Sequence, residues 1–313
     1  MLRTGTSAAL GALGALGALL CVTPLVVVAS SSPAVALAPP PVRNGDLVFV
    51  SDAGVVATQA PRAATYESVT DGEVPEYSPD GRFIAFLSDG LYVHDLDAGT
   101  ERRVSDLDGD GLTWSPDGRE IAVSHGSELE AVTVATGSAR HVHTEVGGRV
   151  TEPAWSPDGS RIAFSTGSAI KLVRPDGTGL RGFTRGGTQN ADPDWSPDSR
   201  TIAFVTDRYV TDPAERRSHA ELVTLPRSGS GVPVRVSHRA YPRGLFLIDV
   251  AWSPDGRKIA VLQFNRNALP DAEDTDERFK VRGYLPDGTH SYSLTGPIVG
   301  DDGLEGLDWA PRR

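Results

Sequence analysis

Three groups of side chains in this chain have types and spacings suited to chemistry. The first is acidic. Glu76, Glu152, Asp192, Asp194, Asp249 and Asp308 each stand one or three residues before a recurring aromatic residue. Carboxylates repeated at one register position can line a common space and attract a cation, a sugar or a basic segment. They can equally pair with arginine or backbone groups inside the fold. The second group is Asp106-Leu107-Asp108-Gly109-Asp110-Gly111, the first half of a calcium loop, with Asp117 at the twelfth position. Between them Leu112 to Ser115 read as an extended strand, rising about 3.3 Å per residue, so the loop cannot close on Asp117. That leaves Asp106, Asp108 and Asp110 either as a weak calcium site or as a solvated polar turn. The third group is His141-x-His143, two imidazoles on one face of an outer strand and a possible metal pair, with no third ligand identifiable.

Other chemistry is excluded. The chain has no Gly-x-Ser-x-Gly elbow, and its seven histidines are scattered, so a serine hydrolase is not expected. The net charge of −11 argues against a nucleic-acid partner, which would require a basic face. Lysine occurs only at 171, 258 and 280, and the remaining positive charge is arginine.

The elements that position these groups come from a repeat. Tyr77-Ser78-Pro79-Asp80-Gly81 recurs as Trp114-Ser115-Pro116-Asp117-Gly118, Trp155-Ser156-Pro157-Asp158-Gly159, Trp195-Ser196-Pro197-Asp198-Ser199 and Trp252-Ser253-Pro254-Asp255-Gly256. A reduced copy, Trp309-Ala310-Pro311, ends the series. The aromatic positions step by 37, 41, 40, 57 and 57 residues, in the range of propeller blades. Ser-Pro-Asp-Gly suits a type I turn, with Pro presetting φ at the second position. Ser199 replaces Gly where a left-handed residue is expected. Each complete copy continues into an apolar alternation such as Ile162-Ala163-Phe164, so each motif reads as a hairpin. Its Ser, Asp and Trp are then structural. Two further strands follow each hairpin, making four antiparallel strands per unit.

The ends complete the count. Residues 45–70 hold a second, third and fourth strand without a first, and Leu304 to Trp309 reads as a first strand with nothing after it. Pairing them closes a six-bladed, all-β propeller and removes its open edge. The aromatic-Ser-Pro-Asp-Gly-x-x-Ile-Ala-Phe repeat resembles that of TolB and its relatives. The resemblance covers essentially all of residues 39–313, read as a single domain. It implies a propeller used in protein-binding scaffolds, in the propeller half of prolyl-oligopeptidase-type peptidases, and in some carbohydrate-active proteins.

Residues 1–38 read as a secretory signal peptide. Arg3 precedes an apolar stretch from Ala8 to Ala29, and Ala36-Leu37-Ala38 offers an A-x-A cleavage site. An uncleaved anchor is the alternative, since the stretch is long enough to span a bilayer. Cleavage removes the only cysteine, Cys21, and leaves no membrane span. The expected protein is an exported monomer in the cell envelope or outside the cell, a non-catalytic scaffold binding a protein or other ligand. A carbohydrate-active or hydrolytic enzyme with its site at the channel mouth is the alternative. Two insertions, Tyr209 to His219 and Asn265 to Glu277, lengthen neighbouring blades and are the expected recognition loops.

Overall fold

In the computed structural model the Ser-Pro-Asp turns tie themselves together through side chains. Ser115 Oγ donates to Asp117 Oδ1 (2.7 Å) and accepts the N–H of Glu120 (2.8 Å). Asp117 Oδ1 accepts the N–H of Arg119 (3.1 Å), and Gly118 N closes the turn on Ser115 O (2.9 Å). Ser78, Ser156, Ser196 and Ser253 repeat the pattern. These hydroxyl and backbone donors hold Asp117 and Asp198 below the usual carboxylate range, the serine contact contributing most. Ser199 does take the left-handed conformation (φ 58°), and its Oγ accepts the N–H of Asp158 (2.9 Å) from the neighbouring turn.

Ser115 is only 3% exposed. Replacing it with Ala strips a buried N–H of its acceptor, a loss of about 1–3 kcal/mol. Urea denaturation of Ser115→Ala should show that loss. A variant as stable as the parent would mean that backbone bonds alone hold the turn.

Residues 44–50, 55–59, 67–186, 188–210, 220–237, 245–265, 279–294 and 306–311 are described by the structure. The chain divides into Met1–Pro40, outside the described residues together with the expected signal peptide, and Pro41–Arg313. The second unit forms six four-stranded antiparallel sheets. Blade 1 is Glu73–Tyr77, Phe83–Leu87, Leu91–Asp95 and Thr100–Ser105. Blade 2 is Gly111–Trp114, Glu120–His125, Glu128–Thr133 and Ala139–Thr144. Blade 3 is Thr151–Trp155, Ile162–Ser165, Ile170–Val173 and Arg181–Gly182. Blade 4 is Asn190–Trp195, Thr201–Thr206, Glu221–Pro226 and Val234–Arg235. Blade 5 is Leu245–Trp252, Ile259–Asn265, Phe279–Tyr284 and Ser291–Ser293. Blade 6 takes its inner strand, Asp308–Pro311, from the end of the chain and pairs it with Asn44–Val50, followed by Val55–Gln59 and Glu67–Asp71.

The second strand of each blade is packed on both faces, which is why Ile121 to Val123 and Ile162 to Phe164 are continuous apolar runs with no exposure. The outer strands are polar, as at Thr100 to Arg103. Six separate apolar cores form, one between each pair of adjacent blades. Three indoles pin the inner strands: Trp114 Nε1 donates to Glu76 O (3.1 Å), Trp195 Nε1 to Ala154 O (3.0 Å) and Trp309 Nε1 to Gly45 O (3.0 Å). No helix among the described residues is long and apolar enough to cross a membrane.

Candidate functional site

A regular inner strand turns only its edge to the propeller axis. Here the inner strands are broken by bulges. The pairing slips between Glu73 and Glu76, Thr151 and Ala154, Ala191 and Asp194, and Leu247 and Asp249. Three residues before the aromatic, Val74, Glu152 and Asp192 sit at φ 49°, 50° and 49°, where side chains are strained and glycine is favoured. Gly306 occupies the same register position in blade 6 at φ 68°. A Cβ on Gly306 would lie 2.6 Å from Pro75 Cδ, so this blade has no room for an acid there. Such bulges re-aim side chains, and these turn theirs toward the axis.

The result is an axial cavity of about 130 Å³ to which all six blades contribute. Glu76, Glu152, Asp192, Asp194, Asp249 and Asp308 all line it, and among the described residues no Lys, Arg or His does. They form two tiers. Glu76, Asp194 and Asp308 immediately precede the aromatics; Glu152, Asp192 and Asp249 lie two residues further back.

Most of these carboxylates also reach the next blade. Asp308 accepts the N–H of Tyr77 (2.8 Å), Asp194 that of Trp252 (2.5 Å), Asp249 that of Leu307 (2.7 Å) and Glu152 that of Asp192 (2.7 Å). Asp194, Asp249 and Asp308 each accept a second N–H from the residue that follows. In blade 2 Thr113 fills the acid's place: its hydroxyl donates to Glu76 Oε1 (3.1 Å) and accepts the N–H of Trp155 (3.1 Å). Thr113 lines the cavity at a position that charge patterning in the sequence does not single out. Aligning the repeat copies on their aromatic residue would have exposed it. One buried acceptor is left over: Glu76 Oε2 has no partner.

Desolvation dominates the electrostatics. Burial pushes Asp194 up to about 8 against its two N–H bonds, with the charges of Asp308 and Asp249 adding to the rise. Burial likewise raises Asp249 to about 7, with Glu152 and Asp308 contributing. Glu76 and Asp192 are pushed well above the carboxylate range, by burial first and then by neighbouring acids; Glu152 and Asp308 also rise through burial. At neutral pH the well therefore holds protons that a bound cation would displace.

The other two groups are placed differently. Asp106 pairs with Arg103 (3.1 Å), Asp110 pairs with Arg149 (2.6 Å), and Asp108 Oδ1 accepts the N–H of Gly109 (2.9 Å). The pairing slips between Leu129 and Glu130, opposite His141 to His143, so the two imidazoles do not share one exposed face as expected. The His141 side chain is 59% exposed beside Glu128, whereas that of His143 is 13% exposed, bonded to Glu145 (3.2 Å) and packed on Phe164. Among the described residues no set of three or more His, Cys, Asp or Glu side chains converges closely enough to hold a metal ion. The insertions Tyr209 to His219 and Asn265 to Glu277 lie outside the described residues, apart from Tyr209, Val210 and Asn265.

No protein-family model matches the chain, and neither does any curated protein. Solved structures do match. TolB of Acinetobacter baumannii superposes with a TM-score of 0.67 at 16% identity, over 86% of this chain and 67% of its own. A protein assigned as TolB in Agrobacterium tumefaciens gives 0.58 at 20% identity, over 88% of this chain and 100% of its own. An oligogalacturonate lyase in complex with manganese gives 0.53 at 13% identity, over 82% and 85%. At these identities the likeness is one of fold, and the fold is the six-bladed TolB-like propeller read from the repeat.

Proposed function

We propose that this chain is an exported, non-catalytic binding scaffold whose axial acidic well captures a cationic group of a protein partner. The observation that carries the reading is six carboxylates around one cavity, with no basic side chain among the described residues of its wall. A structural role accounts for the oxygens that accept backbone N–H groups, but not for Glu76 Oε2. The carboxylates surround the space without converging to chelating distance. That suits a group with several spread donors, such as a basic side chain, better than a bare metal ion. The lengthened loops belong to blades 4 and 5, which also supply Asp192, Asp194 and Asp249; we assign them to partner contact. The TolB structures add an analogy of fold, and an envelope location agrees with the A-x-A segment.

One observation favours a second reading. Asp194 and Asp249, at about 8 and 7, lie where a general acid or base works best. An enzyme acting on uronate chains, as the name of the lyase implies, would have to admit anionic sugars. Among the described residues of this cavity wall no Lys, Arg or His side chain is placed to receive them.

Calorimetric titration of the full chain with a hexa-arginine peptide and with an oligogalacturonide separates the readings. We expect peptide binding that tightens from pH 6 to 8 with proton release, weakens with salt, and has no counterpart with the sugar. Oligogalacturonide binding or cleavage, with the peptide silent, would replace the scaffold by the enzyme.

A further inference from the structure

The well has a mouth on the face of the Ser-Pro-Asp turns. This second cavity, of about 200 Å³, is lined by Glu76, Asp194 and Asp308 together with Tyr77, Trp114, Trp155 and Trp309. Aromatic walls around an acidic floor are the surroundings in which a desolvated organic cation is held, by ring quadrupoles as well as by charge.

The aromatics are not equivalent. Trp114 and Trp309 are buried, and each is pinned by an N–H bond to a backbone carbonyl. Trp155 has no such bond; its Nε1 is buried without an acceptor. Among the described residues it is also the only aromatic that lines both the mouth and the axial cavity. Trp252 Nε1 is likewise unpaired, but Trp252 lines neither space. Trp155 therefore combines a ring unrestrained by its indole N–H with a position at the junction of the two cavities. Its backbone N–H is held by Thr113 Oγ1, and that hydroxyl donates to Glu76 Oε1. Ring, threonine and acid thus form one connected unit, ending in the unpartnered Glu76 Oε2.

Building on the proposed binding role, we infer that the cation is a guanidinium group, an arginine side chain entering from the Ser-Pro-Asp face. Trp155 stacks on its plane, and Glu76 accepts its N–H donors. A guanidinium is planar, stacks on aromatic faces and spreads five donors in a fixed fork; an ammonium is a compact, strongly hydrated point charge that does neither. The separated carboxylates at the mouth, Glu76, Asp194 and Asp308, match the first and not the second.

The test uses acetyl-arginine amide, acetyl-lysine amide and a neutral hexose as probes of the full chain, read by tryptophan fluorescence and calorimetry. The arginine probe is expected to bind at least tenfold more tightly than the lysine probe, and the hexose not at all. Trp155→Leu should weaken the arginine probe about tenfold. Trp155→Phe keeps a stacking ring and should stay within about threefold of the parent. It also serves if the leucine variant folds poorly. Equal binding of the arginine and lysine probes, unchanged affinity in Trp155→Leu, or binding of the hexose alone would each overturn the assignment. Hexa-arginine binding that survives in Trp155→Leu would sink this inference and leave the acidic well standing. If no basic probe binds the parent protein, both readings fail together.

Discussion

Deleting residues 306–313 is expected to abolish cooperative unfolding of the propeller. Those residues supply the inner strand of blade 6, in register with the start of the chain at Leu47↔Trp309 and Val48↔Asp308. Trp309 is 3% exposed and packs in the core shared with blade 5, among Leu47, Phe49, Leu262 and Val281. Ala310 belongs to the core shared with blade 1, beside Val48 and Ile84. The deletion therefore opens two of the six interfaces, and it also removes Asp308, the acceptor for the N–H of Tyr77. A ring opened at one blade exposes strand edges and apolar faces at once. Trp309→Ala alone should cost about 3–5 kcal/mol, a large part of the roughly 5–15 kcal/mol that holds a domain together. Urea denaturation followed by tryptophan fluorescence and by circular dichroism measures both variants. The deletion should give non-coincident, shallow transitions. A single transition with the parent's midpoint and slope would show that closure contributes little.

The fold was legible because its signals are local. Ser-Pro-Asp-Gly carries its own hydrogen bonds: Ser115 and Asp117 close their turn without help from elsewhere in the chain. The repeat therefore counts hairpins, and the unmatched first strand at the C-terminus points to the closure. The acids of the site were legible as positions but not as an arrangement. Their direction depends on bulges, and nothing in the residue types of Val74, Glu152 or Asp192 announces a left-handed backbone. The strain is borne because the neighbouring blade fixes the geometry, as when Glu152 accepts the N–H of Asp192. The choice between a funnel and internal pairing was therefore a false one. Asp194 both lines the cavity and accepts the N–H of Trp252, and only the position of the next blade reveals it. The same holds for Trp155, whose motif is indistinguishable from that of Trp114 until the indole of one is seen bonded and the other not. The histidine pair failed for a related reason: alternation along the strand places both rings together, and a register slip separates them.

Raising the pH should destabilise the unliganded propeller well below the alkaline range where most proteins begin to fail. In the unfolded chain the axial acids titrate near pH 4. In the fold Asp249 and Asp194 are raised to about 7 and 8, and the other four are raised as well. Above the unfolded value the native state binds more protons than the unfolded state, so stability falls as pH rises through about 7 and 8, where Asp249 and Asp194 lose theirs. The turn aspartates act in the opposite sense. Asp117 and Asp198 are held below their ordinary value, so their contribution is lost as pH falls below about 4. Together these predict greatest stability in mildly acid solution. Substitutions separate charge from hydrogen bonding. Asp192 accepts no described hydrogen bond, so Asp192→Asn removes the desolvated charge and its repulsion by Glu152 and Asp249 without breaking one. It should raise the melting temperature at pH 8, leave it nearly unchanged at pH 5, and flatten the slope between them. Asp194 accepts two backbone N–H groups, from Trp195 (2.7 Å) and Trp252 (2.5 Å). An asparagine offers one oxygen and one NH₂ to those two donors, so Asp194→Asn leaves one of them facing another donor. It should lower stability by about 1–3 kcal/mol at pH 5, where the loss of charge brings no compensation. Melting curves of the three proteins from pH 4 to 9 decide the matter. A parent profile flat from pH 5 to 8, or two variants that respond alike, would mean that the axial carboxylates are solvated well enough to titrate normally and that the well is not the desolvated site its geometry describes.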